Sequence, residues 1–183
     1  EEEAFKGEGH HIKEHSVELA LVWLSYTLAQ QKTPIVPILC GSFYDFINEG
    51  VSPLSNVTIS GVVDFLRSII ATRRTLIIAA GDLAHVGPAF GDPRHMTGSD
   101  RVDLARKDSQ SISAICEGDP NAFITISQAE LDSRRICGLS CIYTTLEILR
   151  PTAGQSVGYE QCDADSTRAS VVSIFGGLLF NKA

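Results

Sequence analysis

The chain alternates short apolar runs with stretches whose apolar positions recur at helical spacing. Thr75 to Ala80 is uncharged and mostly apolar, and it runs into Gly81-Asp82-Leu83-Ala84-His85-Val86-Gly87-Pro88. A short apolar run bounded by turn residues reads as a strand buried on both faces. Pro34 to Gly41 is a second such run, in which Pro37 lacks an amide hydrogen and so predicts an edge or bulged strand. Between them, Val62, Phe65, Leu66, Ile69 and Ile70 fall on one face of a helix over 57–72, and Arg73-Arg74 lead into the central strand.

Upstream, Ser16 can cap a helix through Leu28, with Glu18 in its first turn. Leu19, Leu21, Val22, Trp23, Leu24 and Tyr26 make that helix apolar almost all round, the pattern of a helix buried on most sides. Residues 42–56 read as a loop. Residues 87–93, with two glycines and two prolines, form a loop over the carboxyl end of the central strand. Further helices are predicted over 100–116, 120–130 and 139–149, the last stopped by Pro151. Two strands close the chain, Gln155 to Gln161 and Ala169 to Phe180, and Gly176-Gly177 marks a bulge in the second. Helix followed by strand predicts an α/β fold with a mixed, mainly parallel sheet between helical layers.

Composition narrows the function classes. The 183 residues suffice for one domain. Residues 1–13 are a polar lead-in with His10-His11, and 14–183 form a single α/β domain. The net charge of −7 argues against nucleic acid or an anionic membrane as partner. No stretch approaches the roughly 20 apolar residues of a membrane helix. Five cysteines without a close C-x-x-C pair are not a secreted disulfide framework, and they predict a cytoplasmic protein with free thiols. The polar opening without an initiator Met suggests a fragment.

Candidate chemistry gathers at the end of the central strand. In open α/β sheets, ligands sit beyond the carboxyl ends of the strands, where Asp82 and His85 fall. Cys137 stands at or just before a helix N-terminus with Arg134 and Arg135 nearby in sequence, a setting that stabilises a thiolate. A buried structural thiol is the plainer alternative for Cys137, and packing is the reading for Cys141. His15, at the entrance to the first helix, suits either a helix end or the wall of a site. Imidazole and thiolate suit zinc, iron or copper, and a carboxylate can orient the imidazole from behind. A Cys-His-Asp hydrolase is a further possibility for the same three residues.

Glu14-His15-Ser16-Val17-Glu18, Ile35-Val36-Pro37-Ile38, Gly81-Asp82-Leu83-Ala84-His85-Val86-Gly87, Ile136-Cys137-Gly138 and Tyr159-Glu160-Gln161 occur in this order along the chain. Together they resemble the Memo family, which includes protein B of the AmmeMemoRadiSam system. The resemblance implies a three-layer fold like that of the class III extradiol (LigB-like) dioxygenases. It also implies a pocket in which His85 and Cys137 face iron or copper, with Asp82 beside them and His15 lining the surroundings. The family's N-terminal portion supplies two further histidines in contexts this chain does not contain, so the chain resembles the C-terminal part of such a protein, with an incomplete metal site. The expected activity is a metal-dependent, dioxygenase-like redox reaction. The alternative is a non-catalytic protein binding a small molecule or protein partner, with a radical SAM system among the candidate partners.

Overall fold

The computed structural model describes residues 5–29 and 33–181, so the first four residues of the lead-in and the last two of the predicted domain lie outside the described residues. Six α-helices and three strands are described: α1 (Ser16–Leu28), α2 (Tyr44–Glu49), α3 (Val57–Ile70), β1 (His85–Val86), α4 (Gly98–Glu117), α5 (Pro120–Ala129), α6 (Leu139–Leu149), β2 (Thr152–Asp163) and β3 (Val171–Asn181). The helices over 57–70, 98–117, 120–129 and 139–149 stand where the apolar spacing puts them. Capping explains their starts. Asn56 accepts from the Thr58 and Ile59 amides, Thr97 and Asp100 form a reciprocal capping box, and Asp119 accepts from the Ala122 amide. α1 departs from expectation at its start, since Ser16 does not cap it. Instead the Glu14 carboxylate accepts from the His15 and Ser16 amides. Helix α2 lies in a stretch that reads as loop, and Ile47 anchors it in the core.

The fold is mixed α/β, but its sheet corrects the expectation of a mainly parallel one. Among the described residues the sheet is three-stranded and antiparallel, in the order β1-β3-β2. Its backbone is the long β2–β3 hairpin, which a tight polar turn makes possible without a crossover. The irregularity anticipated at Gly176-Gly177 is present, with the extra residue on the facing strand: Ser156 pairs Gly177 and Gly158 pairs Gly176, leaving Val157 bulged.

The apolar runs over 34–41 and 75–80 form no regular secondary structure and no strand pairs among the described residues. Leu76 is 77% exposed and Ile78 50%, so the central run is not buried on both faces. α1 likewise contains no buried residue, and Trp23 is 68% exposed. The reason is common to all three. Their apolar surfaces are left largely uncovered among the described residues, and the pattern that predicted burial describes a demand for cover.

The core sits on the other side. Phe43, Ile47, Leu83, Ile115, Phe123, Ile124, Ile136, Leu139, Tyr143 and Leu146 form one buried cluster under α4, α5 and α6. Phe43 and Tyr143 meet edge to face at 5.8 Å. Arg67 ties α3 to the end of α6 by donating to the Glu147 carbonyl and facing its buried carboxylate.

Gly118 joins α4 to α5 in the left-handed region at φ +70°, and a Cβ there would meet the Thr152 carbonyl oxygen at 2.1 Å. Gly50 has a similar φ of +66° with nothing within 4 Å. Gly50→Ala is therefore expected to cost about 1–2 kcal/mol from backbone strain alone. Gly118→Ala should cost clearly more in denaturant titrations, because α4 and β2 must also separate.

Candidate functional site

The segment from Gly81 to Gly87 is held from both sides. On one side Leu83 donates to the Ser173 carbonyl at 2.9 Å, and Ser173 donates back to the Ala84 carbonyl at 2.9 Å. The Ser173 hydroxyl also accepts from the Ala84 amide, so this buried polar group is satisfied. On the other side lies the run 134–138. Gly138 donates to the Asp82 carbonyl at 2.7 Å, Cys137 to the Leu83 carbonyl at 3.1 Å, and His85 to the Arg134 carbonyl at 2.7 Å.

The approach is close enough to require glycine at both contact points. A Cβ on Gly81 would lie 2.6 Å from the Gly138 Cα, and one on Gly138 would lie 2.9 Å from the Asp82 carbonyl oxygen. The Gly-Asp and Cys-Gly pairs of the sequence are thus two halves of one backbone contact. Asp82, His85 and Cys137 ride on neighbouring segments as a result. Leu83 and Ile136 point into the core, and Asp82 and Cys137 are exposed.

The imidazole of His85 is the best-defined side chain of the three. Its Nδ1 lies 3.3 Å from the Leu83 carbonyl, and the Phe90 ring stands edge-on at 5.0 Å. A carbonyl can only accept, so the tautomer that makes this bond carries its proton on Nδ1 and presents Nε2 as the free nitrogen. Asp82 Oδ2 lies 3.8 Å from that Nε2. In a nucleophile–base–orienter triad the carboxylate would sit behind Nδ1 and leave Nε2 to the thiol. Here Asp82 stands at Nε2, which argues against the Cys-His-Asp hydrolase arrangement.

The two arginines near Cys137 are engaged elsewhere. Arg134 is buried and donates to Asp108 at 2.5 Å, to Glu130 at 2.6 Å and to Ser111 at 3.0 Å. Arg135 forms a two-pronged pair with Asp92, whose carboxylate also accepts from the Gly87 amide at 2.7 Å. Arg135 additionally donates to the His85 carbonyl at 3.1 Å. These side chains brace the loops around the site rather than face the thiol.

Cys141 is half-buried, and burial pushes its thiol up to about 12, helped by the Cys40 and Cys137 thiols nearby. That fits a packing role. His15 lies on the surface beside Glu14, at 3.7 Å from its carboxylate. His10 and His11 lie in a short turn of 3-10 helix (Glu8–Lys13), and His95 is exposed. An open depression of about 250 Å³ lies just past β1, lined in part by Val86, Asp92, Arg94 and His95.

A buried network around Asp108 escaped the sequence reading. Asp108 accepts from Arg134 and from the Tyr159 hydroxyl at 2.9 Å, and Gln161 donates to that same hydroxyl. Burial raises the Tyr159 hydroxyl to about 12, so it stays protonated and able to donate. The signal available in the sequence was the alternation Tyr159-x-Gln161, which puts both side chains on one face of a strand.

Among the described residues, no group of three His, Cys, Asp or Glu side chains is arranged to hold a metal ion. The imidazole and thiol present do not amount to a complete centre. Comparison with known proteins then places the chain: the sequence model described as "Memo-like protein" matches residues 2–178. The chain belongs to the Memo-like family. A MEMO1 family protein of Thermus thermophilus is 25% identical over 160 residues, covering 87% of this chain and 43% of that protein. The Memo-like chain therefore spans less than half the length of this relative. No helix among the described residues is long and apolar enough to cross a membrane.

Two outcomes test the bracing. Removing one member of a fully buried ion pair costs about 3–5 kcal/mol, so Asp108→Ala should lower stability by that order in guanidinium titrations. Asp103→Ala, which breaks only exposed pairs to Arg106 and Lys107, should cost under about 1 kcal/mol. The hydrogen bond from Arg135 holds the Asp92 carboxyl below its ordinary value. Its contribution is complete above the ordinary carboxylate range and is lost as pH falls through the lowered value. Asp92→Asn should accordingly flatten the loss of stability between neutral pH and pH 3.

Proposed function

We propose that this chain is the part of a Memo-like protein that carries an imidazole–thiol rim, and that by itself it binds a ligand without catalysing a reaction. The donor count supports this reading, since a non-haem iron face or a catalytic zinc site takes three protein ligands. Here His85 and Cys137 are the candidate ligands, with no metal-holding group of three among the described residues. Nε2 of His85 and the Asp82 carboxylate both accept hydrogen bonds, and the Cys137 thiol is a weak donor. Such a rim suits a small molecule presenting N–H or O–H groups. A protein partner, including a component of a radical SAM system, remains open to the same surface. The free thiols fit a reducing compartment, and we assign the protein to the cytoplasm.

The orientation of His85 favours a second reading. An imidazole fixed by a carbonyl at Nδ1, with Nε2 turned outward beside Asp82, is oriented as metal-bound histidines are. In a longer Memo-like protein with a three-layer, dioxygenase-like fold, His85 and Cys137 would hold iron or copper together with donors from outside the described residues. Bound there, the metal would supply redox chemistry, while Asp82 would orient His85 or accept a proton. His15 would belong to the surroundings of such a pocket.

Metal content tests the first reading. After anaerobic incubation with Fe(II) or Cu(I) and desalting, the chain should retain well under one metal ion by elemental analysis. His85→Ala and Cys137→Ala should leave that value unchanged. One firmly held ion per chain, lost in both variants, would overturn that reading.

A further inference from the structure

Three of the five cysteines, Cys40, Cys137 and Cys141, gather at the start of α6. Cys40 lies near the end of the run over 34–41, and its half-buried thiol hydrogen-bonds with the Thr144 side chain. Cys141 stands three residues before Thr144 on the same helix. Side chains at that spacing are neighbours, with Cβ atoms roughly 5–6 Å apart. The Cys40 sulfur, bonded to the second of them, therefore lies beside the first. Of the two thiols that act on Cys141, Cys40 acts more strongly than Cys137.

A disulfide needs Cα atoms about 4.4–6.8 Å apart, so at least one partner must be able to settle. Cys40 can. Residues 34–41 make no backbone-to-backbone hydrogen bonds among the described residues, whereas Cys141 is fixed in α6. Cys137 is the poorer partner. Its amide is tied to the Leu83 carbonyl, the following Gly138 is wedged against Gly81, and its side chain is exposed.

We propose that Cys40 and Cys141 are a reversible disulfide site, oxidised by a low-molecular-weight disulfide of the glutathione class and reduced by the corresponding thiol. One protein thiolate attacks a sulfur of the small disulfide, forming a mixed disulfide and releasing a small thiolate. The second protein thiolate attacks the protein sulfur of that mixed disulfide and expels the other small thiolate. The protons of the two protein thiols end on the two small thiols. Two protein thiols thus lose two electrons, and one small disulfide gains them. Burial holds both protein thiols above their ordinary value, which keeps the thiolate fraction low and the exchange slow. The pair follows a standing redox poise, as transient disulfides of reducing compartments do. Its position couples it to the rim. The Cys141 thiol donates to the Gly138 carbonyl at 3.3 Å, and a Cβ on Gly81 would lie 3.3 Å from its sulfur. These are the two glycines whose contact carries Asp82 and Cys137. The disulfide needs neither ligand nor metal, so its test is independent of the ligand-binding reading.

Mass spectrometry of the full chain after prolonged incubation with oxidised glutathione tests it. Without reductant, the tryptic peptides carrying Cys40 and Cys141 should be joined in more than about half of the chains, and excess reduced glutathione should separate them. The peptide that holds Cys141 also holds Cys137 and Cys162. The joined product should therefore persist in Cys137→Ser and in Cys162→Ser, and vanish in Cys40→Ser and Cys141→Ser. Fragment spectra of the unsubstituted chain read the bridge directly, so the outcome stands even where a serine variant fails to fold. Glutathione attached at these thiols with no bridge between them would overturn the proposal. So would a bridge from Cys40 to Cys137, lost in Cys137→Ser.

Discussion

The structure turns on the side of the chain where Arg134 is both buried and fully engaged. Its guanidinium is fixed by Asp108, Glu130 and Ser111, while its own carbonyl accepts the His85 amide. A buried charge is costly unless every donor finds a partner, so this residue has little freedom to move. The backbone that follows it, through Cys137 and Gly138, inherits that fixity. The segment carrying Asp82 and His85 is then registered against it by three backbone hydrogen bonds, and Ser173 of β3 holds it from the far side. A salt-bridged core group thus sets where a half-buried imidazole and an exposed thiol stand.

This arrangement also explains why Tyr159 and Gln161 travel with the chemistry-bearing motifs although neither reaches the rim. Tyr159 completes the hydrogen bonding of Asp108, and Gln161 bonds both the Tyr159 hydroxyl and the Arg101 carbonyl. A half-satisfied buried network would be worse than an apolar core. The long hairpin therefore does more than cover α4. It supplies the polar atoms that let a charged pair exist beneath the site.

Legibility from sequence divides along the same line. α3 to α6 and the hairpin were readable because their apolar periodicity is answered inside the chain, by the cluster around Phe123, Tyr143 and Leu146. The family was readable because short motifs in a fixed order carry it, and the match over 2–178 agrees. α1 and the two apolar runs were misjudged for a physical reason. Periodicity reports that a surface needs cover and is silent on whether the cover lies in the same stretch of chain. The parallel sheet expected from those runs has no partner strands among the described residues, and the antiparallel hairpin is the sheet that remains. Charge proximity failed for a related reason. Arg134 and Arg135 neighbour Cys137 in sequence, yet Asp108, Glu130 and Asp92, all distant or turned from it, claim both guanidiniums.

The uncovered runs and the two-donor rim are two faces of one geometric fact. Residues 74–80 lead without a break into Gly81, Asp82 and His85, so that uncovered run lies directly upstream of the rim. The rim is held on the side where the chain packs against itself and open on the side where the apolar run over 75–80 stands uncovered. His85 displays the same asymmetry at atomic scale, with Nδ1 turned to a carbonyl of its own segment and Nε2 turned outward beside Asp82. A lone pair held in place by a fixed backbone costs little reorganisation when a donor or a cation arrives. The imidazole is therefore fixed on the side where the chain packs against itself, while the run upstream of it stays uncovered among the described residues.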